Sequence, residues 1–144
     1  MLNKTTTTLA AAAMMLSGAA WAETFEVQML NKGEAGTMVF EPAFVQIAPG
    51  DTVKFVATDK SHNAESIDGM IPEGAEGFKG KINEEIEVTL DTEGLYAVKC
   101  LPHYAMGMVM TIAVGEGVEM PEGYLEGRLP KNAKERFEEQ LSNL

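Results

Sequence analysis

The chain has 144 residues, with 11 Lys and Arg against 22 Asp and Glu, and a formal net charge of −11. This length is sufficient for one domain with a core of its own. So negative a chain is unsuited to binding nucleic acid or an anionic membrane over a broad surface. The single cysteine, Cys100, excludes a disulfide within the chain.

The first 22 residues have the pattern of an export signal. Lys4 supplies a positive start, residues 9–20 are mostly Ala, Met and Leu, and Ala20-Trp21-Ala22 fits a cleavage site. The apolar run is too short to span a bilayer, and nothing later in the chain is apolar enough to do so. We therefore predict a signal peptide at 1–22, a mature domain at 23–144 without membrane insertion, and a periplasmic location.

From Glu23 onward the pattern is that of short strands. Phe25, Val27 and Met29 occupy alternate positions, and residues 84–90 alternate in the same way. Gly and Pro turns separate the apolar runs, and no helical period occurs before residue 115. These features predict an all-β sandwich. The long segment 63–82 is either a functional loop or an ordered connection packed by its apolar residues.

The C-terminal extension, residues 118–144, has a different character. Residues 118–126 are compatible with one or two helical turns, weakened by Gly123. After Pro130 the apolar residues fall at helical spacing, which predicts a second helix packed on the sandwich. Its apolar stripe comprises Leu129, Ala133, Phe137, Leu141 and Leu144.

The most informative stretch is Lys99–Met108, Lys-Cys-Leu-Pro-His-Tyr-Ala-Met-Gly-Met. It contains the lone Cys100 and one of only two histidines, His103, and the other histidine is His62. One thiolate, two imidazoles and a weak axial thioether make a blue-copper electron-transfer site. A closed set of such ligands leaves no position for a substrate, which favours a carrier over an enzyme.

Other interpretations of the same residues remain open at this point. Cys100 could be an inert buried residue, and the methionines could be core filler. Cys and His also bind zinc, and a Cys-His pair can act as a nucleophile. The neighbouring thioethers favour copper over both.

The stretch Lys99–Met108 closely resembles the copper loop of the pseudoazurins, in the cupredoxin family, and the resemblance covers the whole mature chain. It implies a Greek-key β-sandwich with two C-terminal helices and one copper ion per chain. The spacing C-x2-H-x4-M selects Met108 as the axial ligand beside His62, Cys100 and His103. Met106 would instead fit the amicyanin spacing C-x2-H-x2-M.

The resemblance also implies a function. Pseudoazurins are monomeric periplasmic carriers of one electron, which commonly serve a copper nitrite reductase, and cytochromes are further possible partners. The alternative for this chain is a periplasmic protein that delivers or stores Cu(I).

Three residues are expected to support the ligands. Asn63 has an amide that can tie the His62 loop to the Cys100 loop, and its N–H can donate to the Cys100 sulfur. Pro102 lacks an N–H and cannot donate to that sulfur. Met38 resembles the family residue that packs beside the exposed histidine ligand.

A docking face is expected around His103. Met106 would belong to its apolar centre, and a ring of lysines would surround it. Those that match pseudoazurin positions are Lys32, Lys60, Lys79 and Lys99.

Overall fold

In a computed structural model of the chain, residues 21–144 are described. The predicted signal peptide, residues 1–22, therefore lies outside the described residues apart from Trp21 and Ala22. No helix in the described part of the chain is long and apolar enough to cross a membrane.

Residues 21–144 form eight β-strands and one α-helix. They are β1 (Thr24–Gly33), β2 (Gly36–Glu41), β3 (Phe44–Ile47), β4 (Thr52–Val56), β5 (Glu65–Ser66), β6 (Ile86–Thr89), β7 (Gly94–Lys99), β8 (Val109–Val114) and α1 (Lys131–Leu141).

The strands form two four-stranded sheets, with the orders β2-β1-β4-β6 and β3-β8-β7-β5. Strands β1 and β4 pair in parallel, as do β3 and β8, and the other neighbours pair antiparallel. The chain crosses between the sheets several times, so residues distant in sequence meet at one end of the sandwich. The predicted β-sandwich is therefore confirmed.

The inner faces of both sheets form one core. Alternation along β1 buries Val27 and Met29, and the parallel partner β4 contributes Val53 and Phe55. The same cluster includes Cys100, Met108 and Met110, so the candidate ligands are continuous with the core. Burial of apolar surface stabilises the folded state by about 25 cal/mol per Å². Because such a core is closely packed, it supports the ligands rigidly at this end of the sandwich.

Only the second of the two predicted C-terminal helices forms within residues 118–144. Helix α1 packs as its apolar stripe predicts, since Ala133 and Phe137 are fully buried. In residues 118–126, Tyr124 N–H donates to Pro121 O and Glu126 N–H donates to Gly123 O, which close two four-residue turns. Gly123 has a φ of +73°, which ends right-handed helical geometry before a second turn can form.

The segment 63–82 is an ordered connection with a supporting role. Ile67 and Met70 are buried against helix α1, and Phe78 packs on the main core. Its end returns to the first histidine, since Gly80 N–H donates to Ala64 O at 2.9 Å. The packed interpretation of this segment is thus the observed one, and the segment fixes the loop that contains His62.

Candidate metal centre

Three donor atoms from distant parts of the sequence converge at one end of the sandwich. The Nδ1 atoms of His62 and His103 lie 3.1 Å apart, and Cys100 Sγ lies 3.6 Å from each of them. A metal ion bonded to three such donors in one plane, at roughly 2.0–2.3 Å, separates them by roughly 3.5–4 Å. The triangle therefore fits a single ion after a small outward movement of the two rings. Within residues 21–144, His62, Cys100 and His103 thus form a group whose ligand atoms all lie within 4.8 Å of one another.

The local fold explains this convergence. His62 lies in the loop after β4, and Cys100 directly follows β7. His103 lies in a short 3-10 helix, Leu101–Met106, that Pro102 helps to start. Two backbone hydrogen bonds close the loop: Cys100 N–H donates to Met108 O at 3.0 Å, and Met108 N–H donates to His103 O at 3.1 Å.

Burial distinguishes the four candidate ligands. His62, Cys100 and Met108 are fully buried, whereas His103 is half-buried. Of these residues, His103 is the one through which the site reaches the surface. An electron can leave or enter along this histidine without opening the site to water.

Asn31 is a functional residue that the sequence did not reveal. Its Oδ1 accepts a hydrogen bond from His62 Nε2 at 2.8 Å. Because an amide oxygen can only accept, Nε2 must hold the proton, and Nδ1 keeps the lone pair that a metal needs. The carboxylate of Asp59 in turn accepts from Asn31 N–H at 2.7 Å. In the sequence, Asn31 belongs to an ordinary Asn-Lys-Gly turn pattern, which gives no signal of this role.

Asn63 connects the two ligand loops in the way the sequence predicts. Its Oδ1 accepts from Leu101 N–H at 2.7 Å, and its Nδ2 donates to Gly80 O at 3.1 Å. Asn63 is buried, so its loss would leave both partners without a hydrogen bond in a dry environment.

The electrostatics of the buried sulfur favour the neutral thiol until a metal binds. Burial raises the pKa of Cys100, and the negative charge of Glu65 raises it further, while backbone N–H groups of Asn63 and His103 oppose this shift. For His62, burial and the neighbouring His103 lower the pKa, and Asp59 partly offsets them. At neutral pH the structure therefore presents a neutral imidazole and a protonated thiol at these positions.

Copper binding should accordingly release about one proton, from Cys100, because the metal takes the thiolate. His62 adds little, since its lowered pKa favours the neutral imidazole. We expect copper affinity to rise by at least about tenfold per pH unit from pH 7 to 8. Competition with a chelator whose own protonation is known measures this slope. A pH-independent affinity would mean that Cys100 is already ionised in the metal-free protein.

Pro102 lies two residues after Cys100, whose raised pKa is already opposed by two backbone N–H groups, those of Asn63 and His103. Replacing it with Ala restores a third N–H in the same loop. A further donor to a metal-bound thiolate stabilises the reduced state, so the potential of Pro102→Ala should rise by tens of millivolts, on the order of one hydrogen bond. Voltammetry of wild type and variant measures the shift, and Leu101→Ala serves as a control in the same loop. An unchanged or lower potential in Pro102→Ala would contradict the argument.

The three methionines named from the sequence occupy different environments. Met108 is fully buried in the cluster that contains Cys100, whereas Met106 is 46% exposed. Met38 is half-buried against the same cluster and has a φ of +52°. The packing of Met38 beside His103 stays a prediction.

The lysines expected on the docking face are accessible to different extents. Lys32, Lys60 and Lys79 are exposed. Lys79 Nζ lies 3.8 Å from a carboxylate oxygen of Glu65. Lys99 is half-buried, and its Nζ lies 4.9 Å from the centre of the Tyr104 ring. Lys99 thus points away from the core while Cys100 points into it, as strand alternation predicts.

Comparison with known proteins resolves the choice between copper, zinc and a thiol nucleophile. Residues 27–115 match the family model of copper-binding proteins of the plastocyanin/azurin family. The chain is 50% identical over 135 residues to pseudoazurin of Paracoccus pantotrophus, covering 94% of this chain and 93% of that protein.

Solved structures give the same answer. The crystal structure of pseudoazurin from Methylobacterium extorquens AM1 has a TM-score of 0.79 and 42% identity, covering 83% of this chain and 98% of that one. The crystal structure of pseudoazurin from Hyphomicrobium denitrificans has a TM-score of 0.74 and 44% identity, covering 84% of this chain and 98% of that one. The chain therefore belongs to the plastocyanin/azurin family of copper-binding proteins and, within it, to the pseudoazurins, electron carriers that hold one copper ion and are not enzymes.

Proposed function

We propose that this chain is exported to the periplasm and there donates electrons, one at a time, to a copper nitrite reductase or a similar reductase of denitrification. The observation that supports a carrier most directly is the closed donor set, in which His62, Cys100 and Met108 are buried and His103 alone reaches the surface. The copper ion alternates between Cu(I) and Cu(II), and no position is left for a substrate.

The proposed ligands are His62, Cys100 and His103 in the trigonal plane, with Met108 as the axial ligand. Three observations support Met108 over Met106. It is fully buried, it shares a cluster with Cys100, and its backbone bonds to both Cys100 and His103. Thiolate, imidazole and thioether together tolerate both copper oxidation states. The stiff core holds the donor atoms in nearly the same positions for Cu(I) and Cu(II), so the site reorganises little during electron transfer.

The axial assignment predicts different results for two matched variants. Met108→Leu should keep copper but change both the visible spectrum and the reduction potential, because the axial ligand tunes the metal. Met106→Leu, at an exposed position two residues earlier, should leave both close to wild type. Spectra and voltammetry of the two copper-loaded variants test this. A larger change in Met106→Leu than in Met108→Leu would make the axial assignment wrong.

The partner is tested by kinetics. Reduced, copper-loaded protein is mixed with a copper nitrite reductase and nitrite in the absence of oxygen, and the return of the blue colour is followed. Each nitrite reduced to nitric oxide takes one electron and two protons, so one equivalent of carrier should be oxidised per nitric oxide released. Omitting the reductase is the control.

The same samples test the alternative of Cu(I) delivery or storage. A delivery protein would lose copper to an accepting protein or chelator, whereas a carrier should keep it through repeated cycles of oxidation and reduction. Loss of copper to the reductase without turnover of nitrite would favour delivery. The buried ligand set argues for retention.

A further inference from the structure

Helix α1 contacts the chain around the proposed axial ligand through a regular set of hydrogen bonds. Asn132 Nδ2 donates to Ala105 O at 3.4 Å, and Arg136 Nη1 donates to Gly107 O at 2.9 Å. Gln140 Nε2 donates to Val109 O at 2.9 Å. Every fourth residue of the helix thus bonds to every second residue of the copper loop and β8.

This pairing has a geometric basis on the side of the helix, because side chains four residues apart lie on one face of an α-helix. The chain that they contact comprises the end of the 3-10 helix at Ala105, the left-handed residue Gly107 and the start of β8 at Val109. The turn that joins the 3-10 helix to β8 therefore presents all three carbonyls to α1.

The bonds from Arg136 and Gln140 are shorter than the bond from Asn132 and lie on both sides of Met108. Gly107 and Val109 are its immediate neighbours, so their carbonyls are held by Arg136 and Gln140. Gln140 is buried, and its Oε1 accepts from Thr111 Oγ1 at 2.9 Å, which extends the series by one more alternate residue. The nitrogen and the oxygen of the Gln140 amide therefore each form a hydrogen bond.

Arg136 also connects a second segment to this set. Its guanidinium donates to Met38 O at 2.6 Å and to Thr37 O at 2.8 Å. Met38 has the left-handed backbone that residues other than Gly rarely adopt. Arg136 therefore fixes two methionine-containing segments, at Met38 and Met108, that pack on the same core.

The close approach at Gly107 leaves little room for adjustment. Gly107 has a φ of +92°, and a Cβ placed there would lie 2.9 Å from Asn132 O. The helix backbone thus rests directly against the loop, one residue before Met108. Movement of α1 must be transmitted to this part of the loop.

We propose that Asn132, Arg136 and Gln140, here called the helix ladder, are positioning residues for Met108 and set how closely its thioether approaches the copper. The inference rests on the axial role of Met108 given under Proposed function. The ladder fixes the backbone on both sides of Met108, and the packed core then leaves its side chain one orientation.

The test uses Arg136→Met and Gln140→Met, which keep side-chain volume and remove the donors. Copper-loaded protein is examined by visible spectroscopy, for the intensity ratio of the two sulfur-to-copper charge-transfer bands, and by voltammetry. Both quantities should shift in the direction that Met108→Leu shifts them, and by less. Lys134→Met, at an exposed position of the same helix, is the matched control and should match wild type. Arg136→Lys, which keeps one donor, should give partial recovery.

A double-mutant cycle separates positioning from a purely structural role. In a Met108→Leu background, Arg136→Met should no longer change the band ratio, because no thioether remains to be positioned. An undiminished effect in that background would overturn the inference. So would a wild-type spectrum and potential in both ladder variants, even if thermal unfolding of the metal-free protein showed that they lower stability.

Two further outcomes keep the test decisive. If Arg136→Met and Gln140→Met fail to fold or to hold copper, Asn132→Ala removes the weakest bond of the ladder and should give a smaller shift of the same sign. No shift in a folded Asn132→Ala, together with none in Arg136→Lys, would overturn the inference. If Met108→Leu itself leaves spectrum and potential unchanged, the proposed axial role fails first, and the ladder's role fails with it.

Discussion

Replacing Cys100 with Ser is expected to abolish the intense visible absorption of the copper-loaded protein. The colour arises from charge transfer between the thiolate and Cu(II), and a hydroxyl does not provide an equivalent donor. Copper affinity should also fall by more than the roughly 10–100-fold that loss of a residue supporting a ligand costs. Titration of the purified mature protein with Cu(II), followed in the visible range, measures both effects.

The design of that experiment must separate lost ligation from lost folding. Cys100 is fully buried in the core, and a buried hydroxyl costs about 1–3 kcal/mol unless it finds a hydrogen-bond partner. The Nδ1 atoms of His62 and His103, 3.6 Å from the sulfur, are available as partners. We therefore expect metal-free Cys100→Ser to unfold cooperatively. Retained blue colour in a folded Cys100→Ser variant would refute ligation by Cys100.

The ligand set could be predicted from sequence because its chemistry is concentrated in few residues. One cysteine and two histidines occur in the whole chain, and the spacing from Cys100 through His103 to Met108 fits a single loop. The strands could be predicted for a similar reason, since alternation such as that of Phe25, Val27 and Met29 is a local property.

Properties that depend on pairing between distant segments could not be predicted in this way. Asn31 reaches His62 because β1 and β4 pair in parallel, with Thr24 beside Thr52. Nothing in the residues around Asn31 specifies that register. The helix ladder is similar, because Arg136 and Gln140 look like ordinary polar helix residues until their distance from Gly107 and Val109 is known.

The predicted first C-terminal helix fails for a local reason that the sequence had partly indicated. Gly123 weakens helical propensity by about 1 kcal/mol relative to Ala, and here it adopts a positive φ. Tyr124 then packs inward, and its hydroxyl donates to Met70 O at 3.1 Å. Tertiary contacts thus stabilise the turns in place of a helix.

The second large effect expected is on docking. Lys99→Glu should lower the second-order rate of electron transfer to an acidic reductase roughly tenfold at low ionic strength, while the blue spectrum stays unchanged. A positive rim on a strongly negative chain orients the molecule as it approaches its partner. Lys99 suits this test because it lies next to Cys100 in sequence and points outward. Lys79 is a less suitable position for this test, since a glutamate there would be repelled by the neighbouring carboxylate of Glu65.

The control must change net charge equally without touching the copper end. Lys134 lies on α1, whose first turn contacts Ala105 of the copper loop through Asn132, so it is closer to the site than a remote control should be. Lys54 on β4 is better. It also faces a carboxylate, but its partner Glu26 is 67% exposed, so water screens the like charge of a glutamate there, whereas Glu65 beside Lys79 is 9% exposed. Five residues of β1, about 17 Å of extended chain, separate Glu26 from Asn31 at the site. Lys54→Glu should slow transfer much less than Lys99→Glu.

Salt dependence then distinguishes a docking face from a net-charge effect. Raising the ionic strength to about 0.15 M shortens the Debye length to about 8 Å, which screens long-range steering. The wild-type rate should fall toward that of Lys99→Glu, and the gap between them should narrow. Equal slowing by Lys54→Glu and Lys99→Glu at every salt concentration would mean that only net charge matters. If the lysine ring is the docking face, the difference between the two variants should be largest at low salt, because only Lys99 lies where the partner approaches His103.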